Sequence, residues 1–343
     1  MRRSSLNKPR IVLVGCGAIA ELFYVPALLR LRDRLGVIAL VDNDIARAKL
    51  LSLRLDGSKV VSNLEEEVGR ADGVILAVPH HLHFQMAKQS LESGAHVLCE
   101  KPLAETVAEA KELVEISKRT NRKLLVNQTR RMQESNRMIN QIIASGRLGG
   151  LQRIEYYDGN KFMWPSSSGF YFDRRSTKKG VLSDIGSHVA DLLCWWLGAQ
   201  PSVVTSFSDS FGGIEAVVDL ALRKDSCDCR VRLSRLGRLP NIVRIAGEEA
   251  TIECGVYDGD RIVLRGKKGT QTQESIIRPK NPPMEELAEN LLLNFLEVII
   301  SNAEPLVPAD SVISSIALIE DAYRKAQPFR LSWYDGIGGH YEA

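Results

Sequence analysis

A lysine, a histidine and two carboxylates carry the chemistry legible in this chain. Lys101 closes the run Cys99-Glu100-Lys101-Pro102 after a short apolar stretch. That sets a fixed cation just beyond the carboxyl end of a predicted strand, the edge of an open α/β sheet where ligands bind. Asp184, His188 and Asp191 are spaced four and three residues apart within a helical pattern, so their side chains project from one face. Ordinary amphipathic packing would put apolar groups there, whereas two carboxylates and an imidazole ask for a partner in a polar cleft. Histidine titrates near neutrality and suits a base that takes a hydroxyl proton. The plain alternatives are a surface ion pair between Lys101 and Glu100 and a solvated polar stripe on the helix.

A nucleotide site is written near the N-terminus. In Gly15-Cys16-Gly17-Ala18-Ile19-Ala20 the first glycine allows a tight strand-to-helix turn and Gly17 lets the backbone approach a pyrophosphate. Ala18 and Ile19 open the helix whose positive end faces that phosphate, and Ala20 permits close helix packing. Asp42 ends the second predicted strand, 22 residues past Ala20, where a carboxylate accepts from a ribose 2′-hydroxyl. It repels a 2′-phosphate, and no arginine stands in Asp42-Asn43-Asp44, so NAD is favoured over NADP.

The elements that must hold these residues follow from periodicity. Strands are expected at 11–14, 37–41, 59–61, 73–78, 96–99 and 123–126, alternating with helices such as 107–120, which is the grammar of a doubly wound parallel sheet. Pro26 should break the first helix soon after it starts. After a helix at 137–145 the pattern becomes period two, with strands at 151–157, 202–208, 215–222, 229–233, 241–246, 250–253 and 261–264 and one embedded helix at 183–197. Only turns separate several of them, so this sheet should be open and largely antiparallel. Helices at 284–301 and 309–326 are expected to close that second domain. The fold class is thus α/β: a Rossmann domain over 1–128, an α+β domain with a largely antiparallel sheet over 129–330, and a tail over 331–343. Strand 215–222 has apolar residues on both faces, which suggests a sheet face covered by a second subunit.

Gly15 to Ala20, Ala77-Val78-Pro79-His80-His81-Leu82-His83, Gly94 to Pro102 and Gly180 to Asp191 together resemble the Gfo/Idh/MocA oxidoreductases, the family of glucose-fructose oxidoreductase and inositol dehydrogenase. The resemblance covers nearly the whole chain. It implies an NAD(P)-dependent transfer of hydride between nicotinamide and a secondary alcohol or ketone of a sugar, nucleotide sugar or cyclitol. By the same resemblance Lys101 hydrogen-bonds the reacting oxygen, His188 is the acid/base, and Asp184 orients one of them. Asp191 then contacts substrate or lysine, Pro79 and His83 border the nicotinamide ribose, and Glu100 lies with Lys101 against the cofactor. In Asn127-Gln128-Thr129-Arg130-Arg131, Arg130 is a substrate contact or a pin at the domain junction. A homodimer or homotetramer is implied as well. A non-catalytic dinucleotide- or sugar-sensing regulator, or a glycosidase that keeps its NAD, would share these residues; intact Lys101, Asp184 and His188 argue against the regulator.

Composition sets the remaining bounds. Forty-five basic against 42 acidic residues exclude a general nucleic-acid binder. Six cysteines without metal-type pairing point to free thiols in a reducing cytoplasm, and no metal site is expected, His80, His81 and His83 included. Arg2 and Arg3 before the apolar run 11–20 mimic a secretory signal, but the glycine spacing explains those residues better, and no run is long enough to span a bilayer. Arg174, Arg175, Lys178 and Lys179 form a basic loop, either solvated or receiving an anionic handle of the substrate, with Lys179 the binding candidate.

Overall fold

The computed structural model describes residues 8–165, 169–174, 177, 179–210, 213–268 and 271–330. The chain divides into two compact units, one built from 1–128, 165–168 and 282–313, the other from 129–164, 169–281 and 314–343.

The first unit is a parallel sheet of β1 (Arg10–Val14), β2 (Gly36–Val41), β3 (Lys59–Val61), β4 (Gly73–Leu76), β5 (His96–Glu100) and β6 (Leu124–Asn127), in the order β3-β2-β1-β4-β5-β6. β4, β5 and β6 are buried along their whole length, which explains their unbroken apolar runs. Strand order reverses between β1 and β4, the switch point at whose carboxyl edge ligands bind in such sheets. The first helix does not break at Pro26. It widens into a π turn over Ala20–Tyr24, with Val25 N–H donating to Ala20 O, and resumes as Val25–Arg30 with Pro26 in its first turn, where a missing N–H is tolerated.

The C-terminal part of the chain contributes to both units. Helix Met284–Ser301, expected to close the second domain, belongs to the first unit. It buries Leu287, Leu291, Leu292, Phe295 and Leu296, and Gly73 of β4 makes room for it: a Cβ there would lie 2.7 Å from Ile299 and 2.8 Å from Phe295.

The second unit is built on a sheet of β7 (Leu151–Gly159), β8 (Ser202–Ser208), β9 (Val217–Lys224), β10 (Cys227–Ser234), β11 (Ile242–Gly247), β12 (Ala250–Gly255), β13 (Ile262–Lys268), β14 (Gln271–Ile277) and β15 (Ala326–Pro328), in the order β14-β13-β12-β11-β7-β10-β9-β8-β15. Its pairs are antiparallel except β7 with β10 and β8 with β15. Helix Val181–Leu197 is sunk into the core on one face, where Val189, Leu192, Leu193 and Trp196 join Tyr156, Leu220, Val231 and Ile245. The side chains that alternate with this core on the strands are mixed, with Val217 and Ala221 of β9 beside Asp219. Cross-strand pairs Arg232 with Asp219, Arg244 with Glu253 (2.8 Å) and Arg265 with Glu274 (2.9 Å) form a charged ladder among them.

Among the described residues no helix is long and apolar enough to cross a membrane, and no cluster of three or more metal-type ligands occurs. The six cysteines are buried and free; Cys227 Sγ and Cys229 Sγ are 4.0 Å apart, about twice a disulfide bond. The tail over 331–343 lies outside the described residues.

Overpacking tests the placement of helix Met284–Ser301. Gly73→Ala should destabilise the protein by about 1–3 kcal/mol in a urea unfolding series. An unchanged midpoint would show that the helix does not bear on β4 as closely as described.

Candidate active site

In the first unit the residues expected around a dinucleotide gather at the carboxyl edge of the sheet. Gly15 has φ +89°, and a Cβ on it would lie 2.3 Å from the Ala77 carbonyl oxygen, so only glycine fits the turn between β1 and the end of β4. Nothing lies within 4 Å of the Cβ position of Gly17, which leaves open space where a pyrophosphate would rest. This cradle, with the helix opened by Ala18 and Ile19, fits an NAD(P) dinucleotide. Asp42 is locked to it, its Oδ2 accepting from Cys16 N–H at 2.7 Å. No arginine stands in Asp42-Asn43-Asp44, but the fold supplies one: Arg47 Nη2 donates to Asp42 Oδ1 at 3.1 Å. The carboxylate that was expected to stand alone against a 2′-phosphate is therefore partly neutralised.

Lys101 follows β5 directly and is half-buried, as is Pro79. Two of its neighbours do something other than expected. Glu100 is buried beneath the sheet edge, where its Oε1 accepts from Tyr24 O–H at 2.8 Å and Asn127 Nδ2 at 2.7 Å. Burial pushes this carboxyl above the usual range against the opposing pull of Asn127, Tyr24 and Lys101. His83, expected beside a nicotinamide ribose, is fully buried instead. Its Nδ1 lies 2.7 Å from Pro102 O and its Nε2 2.9 Å from Val78 O, so the ring ties the loop after β4 to the segment that carries Lys101. A neutral imidazole can donate to only one of those carbonyls, and burial, with the nearby Lys101 charge adding to it, pulls the pKa of His83 below its usual value.

In the second unit the candidates gather on helix Val181–Leu197. The helix has no cap of its own, since it begins after Gly180. Glu215 supplies one from 35 residues away: its buried carboxylate accepts from Gly180 N–H at 2.9 Å and Leu182 N–H at 3.1 Å, and its carbonyl accepts from Val181 N–H at 3.0 Å. Tyr323 O–H donates to the same carboxylate at 2.7 Å and accepts from Ser183 N–H at 3.1 Å. The orphan donors of the first turn are thus satisfied, and a negative charge sits at the positive helix end. A Cβ at Gly180 would fall 1.9 Å from Glu215 O.

The three polar residues of the helix do share one face, with different duties. Asp184 accepts from Arg235 Nη2 at 2.7 Å, and that guanidinium is itself buried, 5.3 Å from the Phe162 ring centre and 5.1 Å from that of Tyr171. Asp191, expected to touch substrate or lysine, is 1% exposed and forms a bidentate pair with Arg131, Nε at 2.6 Å and Nη2 at 2.5 Å. Its carboxyl is raised by burial, and Arg131 pulls the other way. His188 stands half-buried between these two anchored carboxylates. Arg130 is likewise occupied: Nη1 donates to Tyr156 O–H at 2.8 Å and Nη2 to Asp158 at 2.7 Å, while Tyr257 O–H donates to Asp158 at 2.6 Å. Arg130 is thereby pinned within the second unit. Lys179 lies 5.8 Å from the Tyr323 ring centre, and Arg174 is exposed; Arg175 and Lys178 of the basic loop fall outside the described residues.

Lys101 belongs to the first unit and His188 to the second. Arg235, Glu215 and Tyr323 escape sequence analysis because each acts on a residue that no local spacing links to it, whereas Arg47 stands only five residues past Asp42, outside the triplet Asp42-Asn43-Asp44.

Two family models match the chain, one described as an oxidoreductase family with an NAD-binding Rossmann fold over residues 9–128, the other as the GFO/IDH/MocA C-terminal domain over 136–270. Among curated relatives, an uncharacterised oxidoreductase of Schizosaccharomyces pombe is 27% identical over 80% of this chain and 74% of its own. A 1,5-anhydro-D-fructose reductase of Ensifer adhaerens is 29% identical over 60% of this chain and 62% of its own. Among solved structures, the 3-ketoreductase KijD10 from Actinomadura kijaniata, in complex with NADP and TDP-benzene, superposes with a TM-score of 0.79 at 18% identity, covering 94% of this chain and 99% of its own.

Two substitutions probe the anchors. Glu215→Ala strands two buried N–H donors and the Tyr323 hydroxyl and should cost about 3 kcal/mol or more in a urea series; a loss under about 1 kcal/mol would contradict the cap. Glu100 has a folded-state pKa above its unfolded value, so its ionisation opposes folding increasingly as pH rises from about 4.3 through the folded pKa. The Tm of Glu100→Gln minus that of the wild type should therefore grow with pH over that window and then level off. A difference that shrinks with pH would show that the carboxylate is stabilised by its site.

Proposed function

Since the chain belongs to the GFO/IDH/MocA oxidoreductase family, we propose that it is an NAD(P)-dependent dehydrogenase or reductase acting on a secondary alcohol or ketone of a sugar, nucleotide sugar or cyclitol. The observation that carries this reading is the polar face of helix Val181–Leu197. Its two carboxylates are held by arginines, Asp184 by Arg235 and Asp191 by Arg131, and the imidazole of His188 lies between them on a largely apolar helix. Relatives named as a 1,5-anhydro-D-fructose reductase and a 3-ketoreductase support a ring ketone or alcohol as the reacting group.

In the direction of oxidation, His188 takes the hydroxyl proton as the carbinol C–H bond breaks, and Lys101 donates a hydrogen bond to the oxygen and favours its negatively charged form. Asp184, held by Arg235, orients one of these two groups. The nicotinamide, when bound, accepts the hydride. Gly15, Gly17, Ala18 and Ile19 hold the pyrophosphate, Asp42 the adenosine ribose, and Pro79 borders the nicotinamide end; NAD is the preferred cofactor. Lys179 remains the substrate contact of the basic loop. The same reading puts the protein in the cytoplasm, where six free thiols stay reduced, as a homodimer or homotetramer.

Lys101→Ala and His188→Ala should each lower turnover about 100-fold or more while the NADH dissociation constant stays within a few-fold of the wild type. Loss of NADH binding in either variant would assign that residue to the nucleotide site instead.

A further inference from the structure

The edge of the first sheet opposite the dinucleotide cradle gathers charge of its own. β1, β4, β5 and β6 begin side by side there, with Ile11 opposite Gly73, Gly73 opposite His96 and Val97 opposite Leu124. That register sets Arg10, Asp72, His96 and Lys123 in a row across four adjacent strand starts. A groove of about 880 Å³ opens on the row, and Lys8, Arg122 and the end of helix Met284–Ser301 complete its walls.

Each cation of the groove is held in place by only part of its donor set. Arg10 gives Asp72 its backbone N–H (2.7 Å), its Nε (3.1 Å) and its Nη2 (2.9 Å). Arg122 donates from Nε to Gly94 O and from Nη1 to Asn121 O at 3.2 Å, and Lys8 Nζ donates to Arg32 O at 2.9 Å. Among the described residues, Arg10 Nη1 and Arg122 Nη2 have no partner. His96 adds a neutral donor: its Nδ1 accepts from Lys123 N–H at 3.1 Å, which puts the proton of the neutral ring on Nε2. Burial, with Arg122 and Lys123 adding to it against Asp72, pulls its pKa to about 4, so the ring is uncharged at neutral pH.

The charge and the shape of the groove define what it suits. Three cations, Lys8, Arg10 and Arg122, against one carboxylate, Asp72, give it a net charge of +2, while Lys123 is neutralised by Glu304 at 2.9 Å. A phosphate monoester carries close to two negative charges at neutral pH and is met by guanidinium donors, whereas a carboxylate would offset only half of that charge. The remaining wall is apolar, with Ile299 and Ile300 beside the cations and Ile300 58% exposed.

We infer that the amino edge of the first sheet is a binding site for a phosphate monoester with an apolar body: Arg10 and Arg122 take the phosphate, and Ile299 and Ile300 pack on the body. The cradle lies at the other ends of the same strands, so the occupant is a small molecule separate from the dinucleotide. The test is an NMR titration at neutral pH of the purified full chain, its six histidines labelled with carbon-13, using phenyl phosphate, inorganic phosphate, benzoate and phenol. The His96 signal is identified by its loss in His96→Gln, and those of His80, His81 and His83 report on the carboxyl edge. Phenyl phosphate should shift the His96 signal saturably, with a dissociation constant below about 1 mM. Inorganic phosphate and benzoate should bind about tenfold more weakly or worse, and phenol should leave the signal in place. Arg122→Gln should weaken phenyl phosphate about tenfold or more, and Ile300→Ser, at an exposed position, should weaken phenyl phosphate while leaving inorganic phosphate unchanged. A His96 shift that does not saturate, or is alike for every anion, overturns the inference, as does an unchanged constant in either variant. A saturable response confined to His80, His81 and His83 assigns the anion to the dinucleotide cradle and overturns it equally.

Discussion

The buried carboxylate of Glu215 at the head of helix Val181–Leu197 is the interaction on which the rest of the second unit depends. A helix that starts after glycine has four N–H groups to satisfy and no side chain of its own to do it. Because Glu215 and Tyr323 meet that need, the helix can be sunk into the core with its polar face intact. Without the cap, burying that turn would leave donors unpaired at a cost comparable to a large part of a domain's stability. The close approach has its own condition, since only glycine at 180 admits the Glu215 carbonyl.

The same logic recurs wherever a candidate residue is held. Four carboxylates are each paired with an arginine: Asp184 with Arg235, Asp191 with Arg131, Asp158 with Arg130, Asp42 with Arg47. Such pairs add little net stability against apolar replacements, but breaking one leaves an uncompensated charge, so they fix geometry firmly. In this chain they hold the two carboxylates that flank His188 on its helix face. Glu100, with Tyr24 and Asn127, does the corresponding work beneath Lys101 by hydrogen bonds alone.

What could be read from the sequence was what is local. The glycine turn, the end of β2 at Asp42, the strand before Lys101 and the face shared by Asp184, His188 and Asp191 all follow from spacing within a few residues. Their partners do not: Arg235 reaches Asp184 across 51 positions and Tyr323 reaches Glu215 across 108. An apolar stripe on 284–301 said that the helix is buried but not against which sheet, and the answer lay in a missing Cβ at Gly73. β14 escaped notice because Gln271 to Ser275 is polar and pairs on one side only, with β13. His83 was misassigned because its position in a motif resembles that of a ligand-facing residue, whereas its burial comes from the carbonyls of Val78 and Pro102.

The account stands on hydride transfer between a carbinol carbon and nicotinamide, with proton and hydride leaving by separate routes. A panel of sugars, cyclitols and nucleotide sugars deuterated at their carbinol carbons, incubated with NAD and the purified protein, measures that directly when the released dinucleotide is analysed by mass spectrometry. Deuterium should appear on the nicotinamide ring of free NADH for at least one substrate class, one atom per turnover. No labelled NADH with any member of the panel, or deuterium lost to water without net reduction, would contradict a dehydrogenase.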